Sequence, residues 1–372
     1  MDISIWGAGD YGNRLWKIIT MQVNADFVPI CYGDNNSSQE MLNNIPIYGI
    51  EVILDKYNKH EIEGVIIAVS PEKQDSILQQ LTQYGIDRIF ILPTYEYSNS
   101  PDKANLGNII EVACNKPELE YLELHVCDHC NLNCKGCGHF CNLIKEPSFL
   151  NVDTYEKDLI RLSELFWNIR KIRLLGGEPL LAPELPNIIQ ITRKIFPLTD
   201  IRIVSNGLLI TKTDNNLFKT MHNAHALFDF SLYYPTEIIK ENIENLCNKY
   251  GVGYTFSEPI KMFYKGLIDR GESNIHEAWN NCESKVCTFL KDGKIALCAL
   301  PFLLENINKE FGLSMSAKED EMDLYDEGID GWYIKRQISK PGTACKYCAV
   351  NHEEYDWCVQ GYDYKKMDWF IE

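Results

Sequence analysis

Positive charge is scarce in this sequence. Its 372 residues hold 36 Lys and Arg against 53 Asp and Glu, a formal charge of −17. A surface that acidic repels phosphate backbones and anionic lipid, so neither nucleic acid nor membrane is an expected partner. Long apolar runs are lacking too. Asp2, Asp10 and Arg14 break up the first twenty residues, which leaves no secretory h-region, and no stretch is long enough to span a bilayer. The expected location is therefore cytoplasmic. No internal repeat is visible. Cysteine, by contrast, is plentiful at 14 residues. A reducing compartment disfavours disulfides, so the excess points to metal or cluster ligation.

The cysteines fall in two groups. Cys127, Cys130, Cys134, Cys137 and Cys141 share one short stretch, and Cys282, Cys287, Cys298, Cys345, Cys348 and Cys358 lie in the last quarter. Cys31, Cys114 and Cys247 stand alone and are expected as buried packing.

The predicted organisation is α/β: a Rossmann-like domain over 1–100, a linker over 101–118, a partial (β/α)6 TIM barrel over 119–270, and a small Fe–S domain over 271–372. In the first block, strands over 3–6, 27–32, 65–69 and 88–92 alternate with helices, which implies a parallel sheet. The linker is rich in Pro, Ser and Asn, with one short helix expected near 109–114. Strands are expected next at 121–126, 171–175, 200–204, 228–232 and 252–256, with helices between them. Beyond residue 270 the alternation stops. Lys291-Asp-Gly293 reads as a hairpin turn. The acidic stretch 319–330 reads as a solvated loop, and the aromatic C-terminus as a cover for a neighbouring domain.

Gly7-x-Gly9-x-x-Gly12 sits between a strand and a helix, the context of a dinucleotide fingerprint. The first glycine makes the turn, the second admits a phosphate, and the third lets helix and strand pack. The helix N-terminus offers free N–H groups to an anion. Asp34 is placed to accept from ribose hydroxyls. These hundred residues resemble the small N-terminal nucleotide-binding domains of sugar-modifying enzymes, which share the GAGxxG turn and an Asp-Asn pair, here Asp34-Asn35. That resemblance implies a nucleotide or nucleotide-sugar ligand.

Cys130-x3-Cys134-x2-Cys137 follows a strand. Three thiolates on one loop can hold three irons of a [4Fe–4S] cube and leave the fourth iron open. The two CxxC pairs of this stretch lie too close together for an ordinary zinc ribbon. Gly176-Gly177-Glu178-Pro179 and Ser205-Asn206-Gly207 follow the next two strands, and Ser231 ends the fourth.

On these motifs, residues 119–270 resemble the radical S-adenosylmethionine (SAM) superfamily. The resemblance implies that Cys130, Cys134 and Cys137 hold a [4Fe–4S] cluster that binds and reductively cleaves SAM. Gly176 and Gly177 would admit its methionine part, and Glu178 would pair with its ammonium. Ser205, Asn206 and Ser231 would meet the ribose. The aromatic residue usual before the third cysteine is here Gly136, so His139 or Phe140 is expected to pack near the adenine. A flavodoxin- or ferredoxin-type electron donor is implied as partner.

Cys287-x5-Gly293-x4-Cys298, with Cys345-x2-Cys348, could close a second, complete site. It looks like the auxiliary [4Fe–4S] cluster of the twitch/SPASM extension, and zinc is the competing occupant. Cys282 and Cys358 are expected to be spare. The leading functional expectation is oxidation of a C–H(OH) carbon to a carbonyl in a small-molecule, carbohydrate-type substrate, free or nucleotide-linked. One electron would pass to the auxiliary cluster. Epimerisation with a thiol as hydrogen donor, peptide modification, and a zinc-stabilised binding module are the rivals.

Overall fold

The computed structural model describes residues 1–22, 26–112, 115–360 and 363–371. The chain divides into two compact units, 1–118 with 166–168, and 119–165 with 169–372.

The first unit is built on a seven-stranded sheet. Its elements are β1 (Asp2–Trp6), α1 (Asp10–Met21), β2 (Val28–Gly33), β3 (Met41–Leu42), β4 (Ile45–Tyr48), α2 (Ile50–Asn58), β5 (Gly64–Ile67), α3 (Pro71–Gln83), β6 (Ile89–Ile91) and β7 (Ile110–Val112). The strand order is β3-β4-β2-β1-β5-β6-β7. The five strands β4, β2, β1, β5 and β6 run parallel. Ile3, Ile5, Ile66 and Leu15 are fully buried between sheet and helix.

Two elements differ from the sequence expectation. Asn43 and Asn44 both have positive φ, which makes a tight hairpin of β3 and β4. The segment expected as a linker with a short helix instead supplies β7, paired antiparallel with β6. Three residues there already run apolar, acidic, apolar, and the open edge of β6 captures them. Cys114, expected as packing, lies outside the described residues.

The second unit carries an eight-stranded sheet. Its parallel part comprises β8 (Leu122–Cys127), α4 (Val152–Leu165), β9 (Lys171–Gly176), α5 (Leu185–Ile195), β10 (Asp200–Ser205), α6 (Asn215–Asn223), β11 (Leu227–Phe230), α7 (Tyr234–Ile238), α8 (Lys240–Tyr250) and β12 (Gly253–Phe256). There follow β13 (Met262–Leu267), α9 (Ile275–Asn280), β14 (Phe289–Lys291), β15 (Lys294–Ala296), α10 (Leu300–Phe311), β16 (Met322–Asp323), α11 (Gly331–Ile338) and β17 (Cys348–Asp356). The sheet order is β12-β11-β10-β9-β8-β14-β15-β16, and β13 and β17 form a separate antiparallel pair.

Side chains alternate across a strand. Leu122, Leu124, Ile172, Leu174, Ile201, Ile203, Phe228 and Phe230 are buried on one face. The other face carries Glu123, Arg173, Arg202 and Asp229. The hairpin at Asp292 and Gly293 forms as expected, with positive φ at both residues. Its continuation departs from the expected solvated loop, because Met322 and Asp323 pair with β15. The aromatic C-terminus packs within this same unit: Trp369 and Phe370 join Phe140, Leu303 and Leu304 in one apolar cluster.

Among the described residues, no helix is long and apolar enough to cross a membrane.

Candidate functional site

The cysteine loop leaves β8 at Cys127 and lies over the end of β9. Gly176 sits opposite Cys127 in register, with φ +135°. A Cβ on Gly176 would collide with the Cys127 carbonyl. One on Gly177 would collide with the His129 carbonyl and stand 2.8 Å from Cys130 N. The Gly177 amide donates to Cys127 O at 2.7 Å, and the Glu178 amide to His129 O at 2.9 Å. These glycines are therefore a seat for the backbone of the cysteine loop itself.

Glu178 is fully buried. Its carboxylate accepts from Ser205 Oγ at 2.6 Å, Leu180 N at 3.0 Å and Asn206 N at 2.9 Å. Burial raises its pKa, and these donors oppose the rise. The expected pairing with a ligand ammonium thus competes with three internal donors. Ser205 Oγ also accepts from Gly207 N at 2.9 Å. Asn206 Nδ2 donates to Asn131 Oδ1 at 2.9 Å and lies 3.9 Å from Cys130 Sγ. Its carbonyl accepts from Thr236 Oγ1 at 2.7 Å. The Ser231 amide donates to Ser205 O at 2.9 Å. Glu178, Ser205, Asn206 and Cys130 thus form one connected group at the C-terminal strand ends.

Cys130, Cys134 and Cys137 are close enough to affect one another. Burial pushes Cys130 up to about 11 and Cys134 up to about 12, with the neighbouring thiols adding to both. Cys137 goes the other way, to about 7, because Cys141 hydrogen-bonds to it. The thiol of Cys127, buried like Cys141, donates to His129 O at 3.2 Å. Among the described residues, no three Cys, His, Asp or Glu side chains are grouped to hold a single metal ion. A cube takes each thiolate on a separate iron, so its ligands need not share a point.

Phe140 departs from expectation. It is 2% exposed, in the left-handed region at φ 54°, with its ring against Trp369. It is a core residue. The absence of an aromatic at position 136 also has a cause. A Cβ on Gly136 would collide with Tyr355 Oη and come within 2.6 Å of Asp368 O.

The C-terminal segment clamps the loop along its length. Cys134 bridges Val359 antiparallel, Lys135 N donates to Cys358 O at 2.9 Å, and Gln360 N donates to Asn133 O at 3.0 Å. Tyr355 Oη donates to Lys135 O at 3.2 Å and Trp369 Nε1 to Cys137 O at 2.9 Å. Sequence reasoning placed this tail over a neighbour but did not identify the cysteine loop as what it covers.

Two polar groups beside the loop were also missed. His125 bonds Asp128 at 2.7 Å and His139 at 2.8 Å. Burial holds His139 down at about 3, helped by His125 and Arg173, so its ring is neutral. On the polar face of the sheet, Tyr121 donates to Glu123 at 2.7 Å and Arg173 pairs with Asp229 at 3.6 Å. Asp229 also takes Arg202 at 3.0 Å. Charged residues at alternate positions of otherwise apolar strands were the available signal.

The second cysteine set gains a fifth member. Burial raises Cys298 well above its ordinary value, and Cys348, Cys345 and Cys282 all add to it. Cys348 is pushed up to about 12 by burial, then by Cys345 and Cys282. Cys287 answers, after burial, to Glu123, Tyr121 and Arg173, and then to Cys282. Phe289 pairs with Glu123, which sets Cys287 level with Tyr121. Cys282, expected to be spare, thus acts on all four members of the expected quartet, Cys287, Cys298, Cys345 and Cys348. Asp320, in the supposedly solvated acidic stretch, accepts from Thr343 N at 2.6 Å and Ala344 N at 2.7 Å, fixing the turn that carries Cys345.

In the first unit, Gly7 has φ +118° and a Cβ there would stand 2.5 Å from Ala68 O. A Cβ on Gly12 would collide with Gly7 O, whereas nothing lies within 4 Å of one on Gly9. Gly12 is thus a packing requirement and Gly9 leaves open space above the turn. Asp34 accepts from Ala8 N at 2.9 Å and Asn36 N at 2.8 Å. Both its oxygens bind backbone rather than standing free for a ribose.

Residues 124–263 match the family model of the Radical SAM superfamily. Molybdenum cofactor biosynthesis protein 1 of Dictyostelium discoideum is 35% identical over 103 residues, covering 27% of this chain and 16% of that protein. GTP 3′,8-cyclase of Clostridium acetobutylicum is 33% identical over 109 residues, covering 27% of this chain and 31% of that one. The chain thus spans less than a third of these two curated relatives. The crystal structure of BtrN in complex with AdoMet and 2-DOIA aligns with a TM-score of 0.39 and 18% identity, over 63% of this chain and 94% of that one. Residues 124–263 of this chain are a radical SAM superfamily domain.

Proposed function

We propose that this protein is a radical SAM enzyme that oxidises a C–H(OH) carbon of a carbohydrate-type substrate, free or nucleotide-linked, to a carbonyl. The carrying observation is the seating of the Cys130–Cys137 loop on Gly176 and Gly177, joined through Asn206 to the Glu178–Ser205 clasp. A [4Fe–4S] group fits there: three mutually influencing thiols lie on one loop, and a buried indole N–H beside Cys134 lacks a partner among the described residues. Once bound, cluster and SAM supply the hydrogen-abstracting radical. The chain's own part is positioning. Cys130, Cys134 and Cys137 are the ligands, Asn206 orients the first of them, and the C-terminal segment holds the loop's backbone in place. Cys282, Cys298, Cys345 and Cys348 would hold an auxiliary cluster that accepts the substrate's second electron, and a flavodoxin- or ferredoxin-type donor would supply the one electron that the first cluster spends on SAM. The Gly7–Gly12 turn would take a nucleotide, its amides released by Asp34.

Epimerisation is the second reading, and one observation favours it. Cys287 stands on the polar face with Tyr121 and Glu123. A thiol there could return a hydrogen atom to a substrate carbon.

The test is anaerobic reconstitution of the wild type and of Cys130→Ala/Cys134→Ala/Cys137→Ala, with iron, sulfide and zinc quantified. Iron for two clusters in the wild type and for one in the variant supports the reading. Zinc at the first site, or iron indifferent to the triple change, sinks it. SAM cleavage against a sugar and nucleotide-sugar panel in heavy water then separates the outcomes: a carbonyl marks dehydrogenation, and deuterium at an inverted carbon marks epimerisation.

A further inference from the structure

Trp357 follows the end of β17. Its amide donates to Lys261 O at 2.8 Å, which holds the backbone in place. Two residues on, Val359 bridges Cys134. The indole ring packs on Tyr233, with centroids 4.9 Å apart and planes 30° apart. Tyr233 in turn lies in the neighbourhood of Cys134, Cys137 and Cys130. Trp357 Nε1 is fully buried and has no hydrogen-bond partner among the described residues. It stands beside the Cys134 side chain.

A buried N–H without an acceptor costs about 1–3 kcal/mol, so such a group calls for an explanation. A neutral thiol is a poor acceptor and a thiolate a good one. The missing partner is thus a sulfur that carries negative charge.

We propose that Trp357 is a positioning residue whose indole N–H donates to the Cys134 sulfur of the loaded first cluster and raises that cluster's reduction potential. Hydrogen bonds to cluster sulfurs stabilise the more negative, reduced state. Tyr233 fixes the indole plane so that the N–H stays aimed. The inference rests on the reading that Cys130, Cys134 and Cys137 hold a [4Fe–4S] cluster.

The test is an EPR-monitored redox titration of reconstituted wild type and Trp357→Phe, which keeps the ring and removes the donor. The expected result is a more negative midpoint potential in Trp357→Phe at equal iron and sulfide content. An unchanged potential overturns the inference and leaves the cluster assignment standing. A first-cluster signal that survives in Cys130→Ala/Cys134→Ala/Cys137→Ala overturns both. If Trp357→Phe does not retain iron, pulsed EPR on Trp369→Phe protein with ¹⁵N-indole tryptophan decides. That variant keeps Trp357 beside the loop, and a ¹⁵N coupling to the reduced cluster is required. Its absence refutes the hydrogen bond.

Discussion

The hydroxyl of Tyr355 occupies the space that a side chain on Gly136 would need. Gly136 also has φ +59°, a conformation that costs any other residue. Gly136→Ala should therefore destabilise by about 1–3 kcal/mol and reduce first-site iron. Tyr355→Phe alone, which removes only a hydrogen bond, should cost about 1 kcal/mol. Adding Tyr355→Phe to Gly136→Ala should recover part of the loss. Thermal unfolding and iron content of the four proteins test this, and strictly additive losses would contradict it.

Gly177→Ala pushes a methyl into the His129 carbonyl, against backbone that cannot swing aside. First-site iron should fall to the level of the triple cysteine variant while the second site keeps its iron. Full first-site iron in Gly177→Ala would show that the loop does not need this seat.

Glu178→Gln replaces an acceptor of three donors with an amide that must point its NH2 at one of them. Hydrogen bonds to a charged acceptor contribute about 1.5–3 kcal/mol each. A lower melting temperature is expected even in the absence of SAM, because the clasp is internal. A variant with unchanged melting and only weakened SAM binding would instead restore the ligand role first expected for this carboxylate.

Cys282→Ser and Cys287→Ser should part company. The first should remove the second cluster's iron, and the second should leave it in place. The reverse outcome would return the quartet to the one expected from sequence spacing.

Gly9→Ala and Gly12→Ala divide packing from binding in the first unit. Alanine at 12 meets the Gly7 carbonyl, and at 9 it meets open space. Gly12→Ala should unfold the unit by proteolysis or melting, at a cost of about 1–3 kcal/mol. Gly9→Ala should fold normally and weaken nucleotide binding by calorimetry.

Much of this was readable from residues alone. The parallel strands ending at Cys127, Gly176, Ser205 and Phe230 are apolar, β-rich and punctuated by Gly or Ser, so their positions came within a residue or two. The first cysteine triad was legible as a group because its members are close in sequence. What sequence hid was long-range. Phe140 looks like any exposed loop aromatic until Trp369 meets it. Cys282 reads as spare in the sequence, and only the fold brings it within reach of Cys287, Cys298, Cys345 and Cys348. Asp34 and Glu178 stand at motif positions that suggest a ligand, but nearby backbone amides claim their oxygens first.

The partners that clamp the cysteine loop are far away in the chain: Tyr355 lies 220 residues beyond Lys135, and Trp369 lies 232 beyond Cys137. On a ribosome, the loop and its glycine seat are complete long before those partners exist. Residues 130–137 thus pass through synthesis uncovered, reachable by whatever delivers iron and sulfide. They are enclosed only when residues 355–369 dock. Chain order thus sets an order of assembly: the loop and its seat first, the clamp last.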